Sequence, residues 1–161
     1  DAACRQCQTY GRFVAYLRAR PSKLLDGEEA GTREMSPRLV SQFGKLALCL
    51  AVVLGKKSVD AEVLHRVRQT ALDTTYDNSL VLVRAIMKAG PAGCSMADLS
   101  RESTESQVKV RELRRFLTRI KAIRKADPEI AKGLKLSPRD RWELTPTVRG
   151  LCEEVLNDTK E

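Results

Sequence analysis

The sequence predicts a mainly α-helical fold in two units, 1–75 and 76–161, with one small β-hairpin in the second. Three observations lead there. Of the 161 residues, 42% are apolar but only 4% aromatic, which favours helices packing through Leu, Val and Ile over a β-sandwich. Apolar residues recur at helical spacing in most segments between Pro and Gly breaks. Strict alternation is confined to Leu134-Lys135-Leu136 and Arg141-Trp142-Glu143-Leu144, on either side of Ser137-Pro138-Arg139-Asp140, which reads as a hairpin.

Residues 2–18 predict a first helix with Cys7, Tyr10, Val14 and Leu17 on one side, stopped by Pro21. The stretch 22–34, with Gly27, Gly31 and few apolar anchors, reads as a loop. At Ser36-Pro37-Arg38 a helix starts, because Ser36 can cap it and Pro37 loses no hydrogen bond at the first helical position. Its stripe runs Leu39, Phe43, Leu46, Leu50, Val53 and Leu54. With Leu48 and Val52 on the other side, the expectation is burial on most faces up to a left-handed cap at Gly55. Asp60 then caps a helix to about Thr74, with Val63, Leu64, Val67, Ala71 and Leu72 inward, so the two form an αα-hairpin. Thr74 to Asn78 is the junction between the units.

The second unit begins with a helix carrying Leu80, Val81, Val83, Ile86 and Met87, closed by Gly90-Pro91-Ala92-Gly93. Ser95 caps a short helix, Met96 to Ser100. A long helix follows from Thr104 to Lys125, with Val110, Leu113, Phe116, Leu117, Ile120 and Ile123 in one arc. Pro128 and Gly133 break the pattern before the hairpin. Thr145-Pro146 opens a last helix through Val148, Leu151, Cys152, Val155 and Leu156.

With 29 Lys and Arg against 21 Asp and Glu, the net charge of +8 favours a polyanionic partner, nucleic acid before an acidic membrane. The longest apolar run is too short for a bilayer span. There is no initiator Met and no signal-peptide pattern, so the chain reads as a processed product or a piece of a longer protein. Five cysteines do not make a paired disulfide framework and suggest a reducing compartment: cytoplasmic and nucleoid-associated, or nuclear in a eukaryote. Cys4-x-x-Cys7 lacks a second ligand pair, since Cys49, Cys94, Cys152 and His65 are scattered, so no metal is expected. His65 reads as a structural or solvent-edge residue.

Helix, short helix, longer basic helix, hairpin and helix are the order of a winged helix-turn-helix. In that arrangement the outer face of the long helix is free for a DNA major groove and the hairpin is the wing. The candidate DNA contacts are Lys109, Arg111, Arg114, Arg115, Thr118 and Lys125 on the helix, and Arg139 and Arg141 at the wing tip. Glu105 and Glu112 dilute that charge, and winged helices also serve as protein-interaction modules.

Ser36-Pro37-Arg38-Leu39 through Leu46-Ala47, then Val59-Asp60-Ala61-Glu62-Val63-Leu64 and Ala71-Leu72-Asp73, resemble the C-terminal end of a minichromosome maintenance (MCM)-type AAA+ helicase. The resemblance covers most of the chain, with Arg5 to Arg18 similar to the helix before the family's polar-x-Arg-x-Leu motif. It implies an AAA+ lid-type helical unit followed by a winged helix, and makes Arg38 the sensor-2 arginine that contacts nucleotide phosphate. ATP and Mg2+ are then the cofactors of the parent protein, and DNA and neighbouring subunits of a homo-hexameric ring its partners. The family's acidic residue three positions after the arginine is Ser41 here and the next apolar residue is Phe43. These departures point to a divergent member, for instance one carried by a virus or mobile element.

No Gly-x-x-x-x-Gly-Lys-Ser/Thr occurs, nor an apolar run ending in an acidic pair, so no catalytic activity is expected of this chain alone. No Ser/His/Asp or Cys/His constellation offers another chemistry. Two other functions fit the same features: a free-standing winged-helix DNA-binding regulator, or a protein-interaction module.

Overall fold

The computed structural model describes residues 2–18, 36–75, 78–134, 136 and 140–156. It is mainly helical with a small three-stranded antiparallel sheet. The described residues fall into two units, 2–18, 36–75 and 151–156 in the first and 78–150 in the second. The stretch 22–34, expected as a loop, lies outside the described residues. Among the described residues no helix is long and apolar enough to cross a membrane.

In the first unit, α1 (Ala2–Leu17) packs on α2 (Ser36–Val53) and on α3 (Ala61–Asp73). Helix α1 buries Cys7, Tyr10, Phe13, Val14 and Leu17. At Gly11 the two helices touch: a Cβ there would lie 2.6 Å from Val40 Cγ2 and 2.8 Å from the Val40 backbone nitrogen. Helix α2 buries the row Leu39, Phe43, Ala47 and Ala51, four residues apart on one face of the helix. The expected burial on most faces is therefore corrected. Leu48, Val52 and Val53 are 64%, 78% and 80% exposed, because one i, i+4 row makes the buried contact and, among the described residues, these three side chains lie outside it.

Gly55 ends α2 in the left-handed conformation (φ +65°). The Lys56 N–H reaches the Ala51 carbonyl at 2.8 Å and the Gly55 N–H that of Val52 at 3.0 Å, so two orphan carbonyls are satisfied. Asp60 caps α3, its Oδ1 accepting from Val63 N at 3.0 Å.

The second unit opens with α4 (Ser79–Ala89), a 3-10 turn at Gly90–Ala92 and strand β1 (Cys94–Ser95). Helix α5 (Met96–Ser103) follows, capped reciprocally by Ser95 and Asp98. Thr104 to Ser106, with Thr104 left-handed (φ 56°), turn the chain into α6 (Gln107–Arg119). The expected helix from Thr104 to Lys125 is thus shorter at both ends. Ser106 caps its start, and Lys121 (φ 57°) turns the chain into strand β2 (Ile123–Lys125). Ile120 and Ile123 are buried as the helical period predicts, but neither belongs to the helix.

Pro128 begins α7 (Pro128–Gly133) instead of marking a break, and Asp127 caps it through Glu129 N at 2.9 Å. The hairpin expectation is half corrected: β3 (Arg141–Leu144) forms, but pairs with β2 and β1 in the order β1-β3-β2, not with 134–136. Helix α8 (Pro146–Leu156) closes the chain, its residues 146–150 in the second unit and 151–156 in the first.

Two glycines are sterically required. Gly93 (φ +64°) approaches β3 so closely that a Cβ would sit 2.6 Å from the Trp142 carbonyl oxygen. Gly11→Ala and Gly93→Ala are each expected to lower unfolding free energy by about 1–3 kcal/mol in urea titration, Gly93→Ala at the upper end because it adds backbone strain to overpacking.

Candidate nucleic-acid interface

Helix α6 separates its faces cleanly. Val110, Leu113, Phe116 and Leu117 are buried in the second unit with Leu82, Ile86, Leu99 and Leu144. The opposite arc, Val108, Arg111, Glu112, Arg115, Thr118 and Arg119, is exposed. Among the described residues no carboxylate pairs with Arg111, Arg115 or Arg119. Thirteen residues of α-helix extend about 20 Å, and a helix of ordinary width fits a major groove about 12 Å wide.

The expected contact residues separate into two sets. Arg111, Arg115 and Thr118 share the exposed face, and the Thr118 hydroxyl donates to the Arg114 carbonyl at 2.9 Å. Lys109 lies at the edge of that face, half-buried. Arg114 leans the other way, its guanidinium 4.6 Å from the centroid of Trp142, a cation–π contact with the sheet. Its Nε is buried without a hydrogen-bond partner. Lys125 stands on β2 and not on the helix, 3.4 Å from Asp140. Arg139 lies outside the described residues.

Arg141 is removed from any surface role. Its Nε donates to the Ala92 carbonyl at 2.8 Å and its Nη2 to the Gly93 carbonyl at 2.7 Å. Asp98 Oδ2 stands 3.5 Å from the same nitrogen, and only 11% of the side chain is exposed. The guanidinium ties β3 to the turn before β1.

The sequence reading missed Arg119, although it continues the i, i+4 row of Arg111 and Arg115. It also missed two cations beyond the helix, Lys121 and Arg124. Arg124 is held by Glu143 at 2.8 Å, with 58% of its own side chain exposed.

Arg38 is exposed in the first turn of α2, which holds no acidic residue, and no partner for it occurs among the described residues. Its cation opposes the helix dipole without local compensation. His65 is exposed on α3. Cys94 is buried: burial first, then the charge of Asp98, pushes its thiol up to about 11, away from the thiolate form, and its Sγ donates to the Ala85 carbonyl at 3.3 Å. All five cysteines are free. Among the described residues no three His, Cys, Asp or Glu side chains could hold a metal ion together. Comparison of the chain with protein-family models, with curated proteins and with solved structures finds no match.

The Asp98 carboxyl is held below the ordinary carboxylate range, first by the Ser95 hydroxyl that donates to it at 2.8 Å, with the Ser95 N–H and Arg141 adding to the effect. A carboxylate lowered on folding contributes stability above its unfolded pKa of about 3.9 and loses it as pH falls through the lower folded value. Comparing thermal unfolding of wild type and Asp98→Asn from about pH 6 down to about pH 2.5 should therefore give curves that converge towards the acid end. Arg141→Ala is expected to cost about 2 kcal/mol of stability at neutral pH.

Proposed function

We propose that the second unit is a winged helix-turn-helix that binds duplex DNA through α6. The observation that carries this reading is the one-sided helix: Arg111, Arg115 and Arg119 stand on a single exposed row without carboxylate partners among the described residues, over a face wholly committed to the core. Around it, α5 and α6 are joined by three residues, the connection a helix-turn-helix uses, and β2 and β3 flank the helix as the ribbon of a wing. Three guanidinium groups about 6 Å apart in rise supply backbone affinity, and bidentate donation to guanine offers limited base selection. Glu112 and Val108 share the face and can meet a cytosine amino group and a thymine methyl.

The test is fluorescence anisotropy with a labelled duplex over a range of salt. Replacing Arg111, Arg115 and Arg119 by Ala is expected to weaken binding at least about tenfold and to flatten the log K against log salt slope by roughly 3. Arg124→Ala, which removes a cation already matched by Glu143, should change little. Unchanged binding in the triple variant would overturn the DNA reading and leave this face to a protein partner.

We infer from the MCM resemblance that the first unit acts as the lid of an AAA+ ATPase. In a divergent MCM-like helicase this chain would be the C-terminal part, and Arg38 would meet nucleotide phosphate in the assembled ring, with ATP and Mg2+ held elsewhere in the parent. What supports the reading is an exposed, unpaired arginine at a helix start, where a nearby phosphate would compensate the unfavourable dipole. In a ring-forming parent, Arg38→Ala should cut ATP turnover at least about tenfold without changing the DNA affinity of α6. Normal turnover would make Arg38 an ordinary surface residue.

A further inference from the structure

We propose that the first unit holds a binding site for a small organic oxyanion, a phosphate ester or carboxylate, at a cavity built on Arg68. The cavity, about 430 Å³, lies between one face of α1 (Ala3, Gln6, Tyr10) and one face of α3 (Ala61, Leu64, Arg68). That volume lies in the range of small-molecule sites.

Arg68 is the decisive feature. It is only 7% exposed, and its buried Nε has no hydrogen-bond partner. No ion pair to it exists among the described residues. An arginine whose Nε is out of water without a partner is costly, and packing does not ask for it, because Leu or Met would fill the same space. Its donors match a two-oxygen anion in a bidentate pair.

The surrounding charges leave the place for that anion open. Asp60 also lines the cavity, but its carboxylate is committed, Oδ1 to the Val63 N–H and Oδ2 to Lys56 at 3.0 Å. Glu62, in the first turn of α3, is held by Lys56 at 2.8 Å and Arg66 at 3.2 Å. The first turn of α3 contributes its positive dipole end on the same side, and His65 stands on the wall as a further donor. Ala3, Val59 and Leu64 give the carbon skeleton of the ligand an apolar surface. This site is separate from Arg38 and from α6, neither of which lines the cavity.

The experiment is a titration of the whole chain with phenyl phosphate and with benzoate against matched chloride, followed by proton–nitrogen NMR. The Arg68 Nε–H signal, assigned by its loss in Arg68→Met, is expected to shift saturably with one or both probes, together with the amides of Ala61 to His65. Which probe acts more strongly identifies the head group. In Arg68→Met the amide shifts should need at least about thirtyfold more ligand. The Arg111, Arg115 and Arg119 triple variant should bind the probes as wild type does, which separates this site from the DNA face. An Arg68 signal unmoved by both probes overturns the proposal, as does undiminished binding in Arg68→Met. If that variant does not fold, Arg68→Lys supplies the assignment, and the wild-type signal then decides the matter.

Discussion

The second unit depends on what Trp142 does in the middle of its sheet. Its backbone pairs with Cys94 on one side and Lys125 on the other, so β1 and β2 are joined only through β3. Its ring carries the guanidinium of Arg114, a contact that adds to the buried arc of α6 in setting the helix's rotation. Its carbonyl lies where only a glycine at 93 leaves room, and the adjacent Arg141 clasps the carbonyls of that same turn. Helix, turn and both outer strands thus converge on two consecutive residues. The outward direction of Arg111, Arg115 and Arg119 follows from the burial of Val110, Leu113, Phe116 and Leu117 on the other side of the helix, which the Arg114–Trp142 contact reinforces.

The first unit solves its packing differently. Here close approach replaces bulk: Gly11 lets Val40 press against the α1 backbone, while Ala47 and Ala51 keep the buried row of α2 thin. A narrow row buries less apolar area per turn than a Leu-rich one, and the leftover side chains Leu48, Val52 and Val53 remain on the far side. The helix is apolar beyond what its neighbours in the unit can use.

Much of this was legible in the residues. Proline, glycine and capping side chains placed the starts of α2 and α3 and the end of α2, because Pro37, Gly55 and Asp60 act through local backbone chemistry that no distant contact overrides. The buried arc of α6 followed from its period. What failed was the far end of that helix. Ile120 at the helix cap and Ile123 in β2 keep the helical spacing because both are buried, and Lys121 between them takes a left-handed conformation that nothing in its side chain announces. The missed β2 then left β3 without a partner, and the alternation of Leu134 and Leu136 supplied a false one. Arg141 was misread for a related reason: a charged residue beside a turn looks like a surface contact until tertiary structure turns it onto backbone carbonyls.

Along the sheet the described cations are matched by nearby acceptors, whereas Arg111, Arg115 and Arg119 on α6 have no carboxylate partner among the described residues. Lys125 faces Asp140, Arg124 faces Glu143, and Arg141 faces two carbonyls and Asp98. An exposed pair is worth little to stability, yet each one removes a cation from the long-range field that a polyanion feels. The described ribbon is therefore close to neutral, while the exposed arc of α6 holds three arginines against the single carboxylate of Glu112. The contribution of the described ribbon to the unit is thus structural: its cations are matched in place, and it carries the Trp142 ring against Arg114 of α6.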